Sequence, residues 1–86
     1  MNTRIAMIGI ILINSDPVEE LNHLLSQYRE YIIGRMGLPY REKGISIISI
    51  AIDAPADIIS TLSGKLGMLP GVSTKTIYAK TPGIPD

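Results

Sequence analysis

Two short segments of the chain, residues 5–13 and 45–52, are apolar at nearly every position rather than at every second one. A continuous apolar run is typical of a strand that is buried on both faces in the middle of a sheet. Each segment is followed by an amphipathic stretch with helical spacing, and then by a more mixed segment with strand character. The pattern therefore predicts a β-α-β-β-α-β unit with the two apolar strands at its centre.

The first predicted helix follows an acidic-proline turn. Ser15 or Asp16 is placed to cap the helix, and Pro17 suits its first position. His23 falls among polar residues, so we expect it to face solvent. The expected core-facing stripe of this helix comprises Val18, Leu21, Leu24, Leu25 and Tyr28.

The hydrophobic period changes from helical to alternating near residue 30. Residues 31–36 predict a less uniformly buried strand, with Gly34 as a candidate bulge. We expect Gly37 to Pro39 to end this strand and the polar residues 41–44 to connect it to the second apolar strand.

The second predicted helix repeats the cap-and-proline signal at Asp53 and Pro55. Gly67 is predicted to be its C-terminal cap with positive φ. Leu69 to Gly71 should then turn the chain into a last strand, residues 72–79. The inward stripe of this helix comprises Ile58, Ile59, Leu62 and Leu66.

These elements predict an α+β, ferredoxin-like domain over residues 1–80, with a four-stranded antiparallel sheet in the order 4-1-3-2. Residues 81–86 are expected to form a flexible tail or an arm lying on another subunit. Helices would cover only one face of the sheet, and the other face would expose Ile and Leu side chains. We therefore expect self-association as a dimer or tetramer.

Composition narrows the possible functions. The 86 residues contain 8 basic and 8 acidic side chains, so the basic excess of a typical nucleic-acid-binding domain is missing. There is no cysteine and only one histidine, which disfavours a transition-metal site. Residues 5–13 have neither the flanks of a signal peptide nor the length of a membrane span. We expect a cytoplasmic protein without membrane contact.

No catalytic constellation can be identified. The glycine-rich segment from Ser63 to Gly67 is similar to a phosphate-binding loop. Such a loop needs a glycine where this chain has Ile59, and Ser or Thr where it has Leu66, so the match fails. Ser46 and Ser49 have no histidine nearby in sequence. We therefore expect no catalytic residues, no metal site and no cofactor.

The chain resembles ACT-type regulatory domains, which bind small effectors at subunit interfaces. The resemblance rests on the Ser15-Asp16-Pro17 turn and on the ending from Leu62 to Val72. Val18 departs from it, because many amino-acid-binding ACT domains have a glycine there.

A closer resemblance, over about residues 4–80, is to a small ACT-like family of presumed iron-only hydrogenase system regulators. It rests on residues 35–42 followed by 45–50, and on residues 62–67 through Gly71 and Val72. This implies a regulatory role beside such a hydrogenase system, without naming a ligand or a DNA target. Our preferred function is a non-enzymatic module that senses a small-molecule effector or a partner protein, and a chain of this size would need a DNA-binding partner protein to reach DNA.

An effector would bind where the turns around residues 14–17 and 66–71 approach a neighbouring subunit, through backbone N–H groups. The candidate ligand-binding residues are Asn14, Ser15, Asp16, Gly67, Leu69 and Gly71. Alternatively, Gly67 and Gly71 are needed only for the backbone geometry of the turns. A small enzyme or a direct nucleic-acid binder using Arg29, Arg35, Arg41 and Lys43 is the alternative function.

Overall fold

A computed structural model of the chain describes residues 2–13 and 17–80. Within them the elements follow the predicted β-α-β-β-α-β order. The predicted tail, residues 81–86, lies outside the described residues. The elements are β1 (Arg4–Leu12), α1 (Val18–Gln27), β2 (Ile32–Tyr40), a 3₁₀ turn (Arg41–Lys43), β3 (Ile45–Ala54), α2 (Ala56–Gly67) and β4 (Val72–Tyr78).

The four strands form one antiparallel sheet in the order β2-β3-β1-β4. This is the predicted order, and the two continuously apolar segments are indeed its central strands. Both helices contribute buried side chains to a single core on one face of the sheet. The fold is therefore ferredoxin-like α+β, as the hydrophobic pattern predicts.

The core lies between the helices and one face of the sheet. The alternate residues of β1 from Ala6 to Leu12 point into it and are at most 3% exposed, whereas the residues between them are more exposed. Both predicted helical stripes face this core, with Leu21 and Leu25 of α1 buried and Val18 half-buried. The buried residues in this cluster are Ala6, Ile8, Ile10, Leu21, Leu25, Ile48, Ile50, Ile52, Ala54, Ile59, Leu62 and Leu66.

Both helices begin one residue later than the sequence predicts. Pro17 and Pro55 are the N-cap residues rather than first helical residues, and neither supplies a side-chain cap. The prediction that Asp53 signals the cap of α2 is wrong, because Asp53 still belongs to β3 and its N–H donates to the Tyr31 carbonyl at 3.0 Å. The predicted capping residues of α1, Ser15 and Asp16, lie outside the described residues.

Strand β2 does not stop at Gly37 to Pro39 as predicted, but continues to Tyr40. It is an edge strand, where a proline that lacks an N–H is tolerated when that position faces away from the neighbouring strand. The predicted irregularity at Gly34 is confirmed by a register shift between Ile32 and Gly34. Gly44, with φ 65°, ends the connection to β3 in the left-handed region.

The predicted role of Gly67 is also wrong. Gly67 is the last residue of α2, and the C-cap is Met68 with φ −83°. The helix end instead tightens through N–H bonds from Met68 to the Lys65 carbonyl at 3.2 Å and from Leu69 to the Leu66 carbonyl at 3.1 Å. The left-handed residue in this turn is Gly71, with φ 76°, so the reversal of the chain falls four residues later.

Candidate functional site

The first candidate site is the end of the sheet where β1 stops and β4 begins. The N–H of Ile13 donates to the Gly71 carbonyl at 2.9 Å, and Leu12 pairs with Val72. Gly71 therefore lies beside the point where the first loop leaves β1. The candidate residues Asn14, Ser15 and Asp16 of that loop lie outside the described residues.

Gly67 and Leu69 have different surroundings from Gly71. Gly67 lies in the last turn of α2, where a Cβ would stand 3.5 Å from the Thr74 hydroxyl oxygen of β4. Leu69 is half-buried and packs against the core. A residue within a helix uses its N–H for the helix itself. Gly71 is thus the predicted turn residue that the structure brings to the end of β1.

The second feature is the sheet face that the helices leave uncovered, called here the open face. Directly paired residues of neighbouring strands share a face, so the strand registers define its members. All of its large apolar side chains except Ile45 are at least 40% exposed. They are Ile5, Met7, Ile11, Met36, Leu38, Tyr40, Ile45, Ile47 and Ile77.

Small residues occupy much of the centre of the open face. Gly9 pairs with Ser49 on one side and with Lys75 on the other, and Met7 pairs with Ala51. A Cβ on Gly9 would contact only the Lys75 carbonyl oxygen, at 3.8 Å. The central positions therefore combine the small residues Gly9, Ser49 and Ala51 with the longer side chains of Met7 and Lys75.

Charge is sparse on the open face. Within the four strands, Asp53 and Lys75 are its charged residues. Removing this surface from water would therefore desolvate few ionic groups. The open face is suited to association with another apolar surface.

A groove of about 530 Å³ lies between the two helices on the opposite side of the molecule. Its lining carries both signs of charge, with Glu19, Glu20 and Lys65 around Leu24 and Leu69. His23 also lines it and is exposed, as predicted, with its ring nitrogen 3.3 Å from the Gln27 amide nitrogen.

Residues 2–13 and 17–80 contain neither a clustered set of metal-ligating side chains nor a membrane-spanning helix. No cluster of at least three His, Cys, Asp or Glu side chains in these segments could hold a metal ion. Neither helix found there is long and apolar enough to span a bilayer.

A second cavity, of about 230 Å³, lies between α1 and the edge strand β2. Arg35, Gly37 and Pro39 of β2 face it, opposite Val18 and Asn22 of α1. The sequence did not reveal this cavity, since Gly37 and Pro39 were expected to end the strand.

The fold and these surfaces place the chain among ferredoxin-like α+β domains that have helices on one face and an open apolar sheet on the other. A family model described as "TM1266-like: Iron-only hydrogenase system regulator, putative" matches residues 4–76. The chain belongs to this TM1266-like family, which confirms the resemblance found in its motifs.

A solved structure supports the same assignment. The uncharacterized protein TM1266 from Thermotoga maritima has 34% sequence identity to this chain and a TM-score of 0.88. The match covers 92% of this chain and 100% of that one. Comparison with proteins of curated function gives no match.

Proposed function

We propose that this protein is a non-enzymatic regulatory module of an iron-only hydrogenase system. It self-associates and senses a small ligand or a partner protein at the subunit interface. The description of its family supports the regulatory role. The single observation that carries the proposal is the open face, because its exposed apolar side chains are suited to contact with another apolar surface.

The open face supports self-association because its apolar side chains come from all four strands. Ile11 and Ile47 are direct cross-strand partners near its middle and are 45% and 41% exposed. Contiguous apolar surface of this kind marks an interaction site in a soluble protein. A second copy presents the same apolar side chains, with Asp53 and Lys75 as the charged residues of its strands.

The ligand would bind near the turn before β4. Gly71 stands beside the end of β1, where the loop with Asn14, Ser15 and Asp16 begins. Successive backbone N–H groups in such turns can bind a carboxylate or phosphate. A ligand in this position would couple the two turns to a neighbouring subunit.

Control of transcription would need a DNA-binding partner protein. The chain has no net charge, and its basic residues are spread over several elements. Arg35 faces the helix side of β2 and donates to Asn22, whereas Arg41 and Lys43 lie in the connection before β3. A DNA-reading surface normally concentrates such residues.

The regulatory role can be tested in cells that contain an iron-only hydrogenase. We expect that deleting the gene for this protein changes hydrogenase transcript or activity levels, and that the wild-type gene restores them. A variant impaired in self-association, Ile11→Lys, should fail to restore them, whereas Ser60→Lys, at an exposed position of α2, should succeed. Unchanged hydrogenase levels after deletion would refute the regulatory role.

Native mass spectrometry of the freshly purified protein tests the sensing part. We expect a dimer or tetramer, with a retained small molecule or a co-purified partner. A bare monomer at micromolar concentration would contradict the proposed subunit interface.

A further inference from the structure

The cavity between α1 and β2 exists because residue 37 is a glycine. Gly37 pairs with the buried Ile48, so its position faces the helix layer rather than the open face. A Cβ built on Gly37 would have no heavy atom within 4 Å, and its φ is not in the positive region. A larger residue would fit without backbone strain, and its absence leaves the space open.

The floor of this cavity is apolar. Leu12, Leu21 and Ile48 contribute side chains that are at most 7% exposed, and the half-buried Val18 extends the same surface. Its volume of about 230 Å³ is below the roughly 300–1,000 Å³ of sites for drug-sized ligands. It is therefore suited to a small molecule with an aliphatic body.

Arg35 stands at one end of the cavity. Its guanidinium donates a hydrogen bond to Oδ1 of Asn22 on α1, which holds the side chain against the helix. Among the described residues Arg35 has no carboxylate partner. A guanidinium fixed by a neutral amide keeps most of its donors and its full charge for an anion.

Ser46 lies at the other end of this cavity. It pairs with Pro39, four residues along β2 from Arg35, or roughly 13 Å at the usual rise of a strand. Ser46 is half-buried, and its hydroxyl has no hydrogen-bond partner in the described part of the chain. The cavity thus has a cationic end, an apolar middle and a neutral polar end.

We propose that this cavity binds a small aliphatic monocarboxylate, with the carboxylate on Arg35 and the hydrocarbon body over Gly37. The proposal rests on the ligand-sensing function proposed above, but it assigns the ligand to a pocket different from the two turns. A plain carboxylate fits better than a zwitterionic amino acid. Among the described residues, no acidic side chain lines the cavity, and Oδ1 of Asn22 already accepts from Arg35.

The binding test uses the isotopically labelled full chain and nuclear magnetic resonance titrations with acetate, butyrate and hexanoate. We expect saturable shifts of the Gly37 and Ser46 amides, with affinity rising roughly fourfold for each added methylene until the cavity is full. Butyramide, the neutral counterpart of butyrate, and inorganic phosphate should both bind at least tenfold more weakly than butyrate. Equal responses to butyrate and butyramide, or no saturable response to any acid, would overturn the proposal.

Two variants probe the two halves of the pocket. Gly37→Val fills the space and should abolish butyrate binding while the melting temperature stays level or rises, since valine favours strands. Arg35→Gln should weaken butyrate binding roughly tenfold or more, because it removes a charge-assisted hydrogen bond. The matched control is Arg29→Gln, which changes an exposed arginine outside this cavity and should bind as the parent does.

The outcomes separate this inference from the proposed function. Butyrate binding that survives Gly37→Val in a folded protein would place the ligand elsewhere and overturn the inference. Failure of the carboxylate titrations leaves the hydrogenase measurements and the subunit number untouched. Conversely, a monomer without effect on hydrogenase levels that still binds butyrate through Arg35 would refute only the regulatory proposal.

Discussion

Self-association through the open face can be tested with one substitution, Ile11→Lys. Ile11 lies on a central strand opposite Ile47 and is 45% exposed. It therefore has apolar surface left to bury, while the backbone pairing of β1 does not depend on its side chain. Lysine at this position places a charge in the middle of the proposed interface.

The expected size of the interface follows from sheet geometry. Strands of about nine residues at roughly 3.3 Å per residue, four abreast at about 4.8 Å, give a face of roughly 570 Å². Two copies would bury about 1,100 Å², near the lower limit for a specific interface. We therefore expect a dimer that is populated at micromolar concentrations and dissociates on further dilution.

The effect of the substitution can be estimated from the exposure of Ile11. Full burial of an isoleucine side chain contributes about 1.5–3 kcal/mol, so burying the exposed 45% contributes about 1 kcal/mol per subunit. A two-fold interface contains the substitution twice, giving about 2 kcal/mol, or roughly a 30-fold weaker dimer. Desolvation of the lysine should weaken the dimer further.

Sedimentation equilibrium over a concentration series measures this directly. The parent should exceed its monomer mass of 9.3 kDa, and Ile11→Lys should stay monomeric at concentrations where the parent associates. The matched control is Met68→Lys, because Met68 is 84% exposed and follows α2, away from the strands of the open face. The reasoning fails if Ile11→Lys associates as tightly as the parent, or if Met68→Lys disrupts association equally.

Further predictions concern the turn before β4, a surface lysine and metal. Gly71→Ala should lower the free energy of unfolding by about 1–2 kcal/mol, because Gly71 has φ 76°. Gly67→Ala should be neutral or stabilise by up to about 1 kcal/mol, since the residue is helical and its Cβ meets Thr74 at an ordinary 3.5 Å. Urea denaturation of both variants checks this pair, and equal losses would contradict the assigned turn. Lys65→Ala should change stability by less than about 0.5 kcal/mol, because this exposed lysine contacts Tyr28 only through a 3.3 Å hydrogen bond and its ring. EDTA should leave the thermal melting curve unchanged, and a large drop in melting temperature would reveal a metal site.

Much of the fold follows from local sequence pattern. The continuous apolar runs around Ile8 and Ile50 mark the two central strands, although only the helix-covered face of each is buried in the structure. The helical stripe around Leu62 marks a helix with one buried face. These periods depend on backbone geometry alone, so they can be read before any contact is known. The strand order agrees with the prediction because the two most apolar segments lie at the centre of the sheet.

The errors concern positions where a neighbouring element decides the outcome. Pro39 ends a strand by local rules, but it is tolerated in β2 because β2 lies at the edge of the sheet. Gly67 has the position of a helix cap, yet the turn takes its left-handed residue at Gly71, where the chain must join β4 beside β1. The hydrogen bond from Ile13 to Gly71 that fixes this junction links residues distant in sequence.

The candidate sites divide in the same way. The sequence alone indicated the open face. Both faces of β1 and β3 carry apolar residues, but in a two-layer domain the helices can cover only one side of the sheet. The cavity at Gly37 could be found only from the tertiary structure. A glycine in a strand leaves a pocket only where a helix lies over it and no other side chain fills the space. Likewise, only the packing of α1 against β2 brings Asn22 to Arg35. Periodicity records which way each side chain points, whereas a pocket depends on the distance between surfaces that meet only in the folded chain.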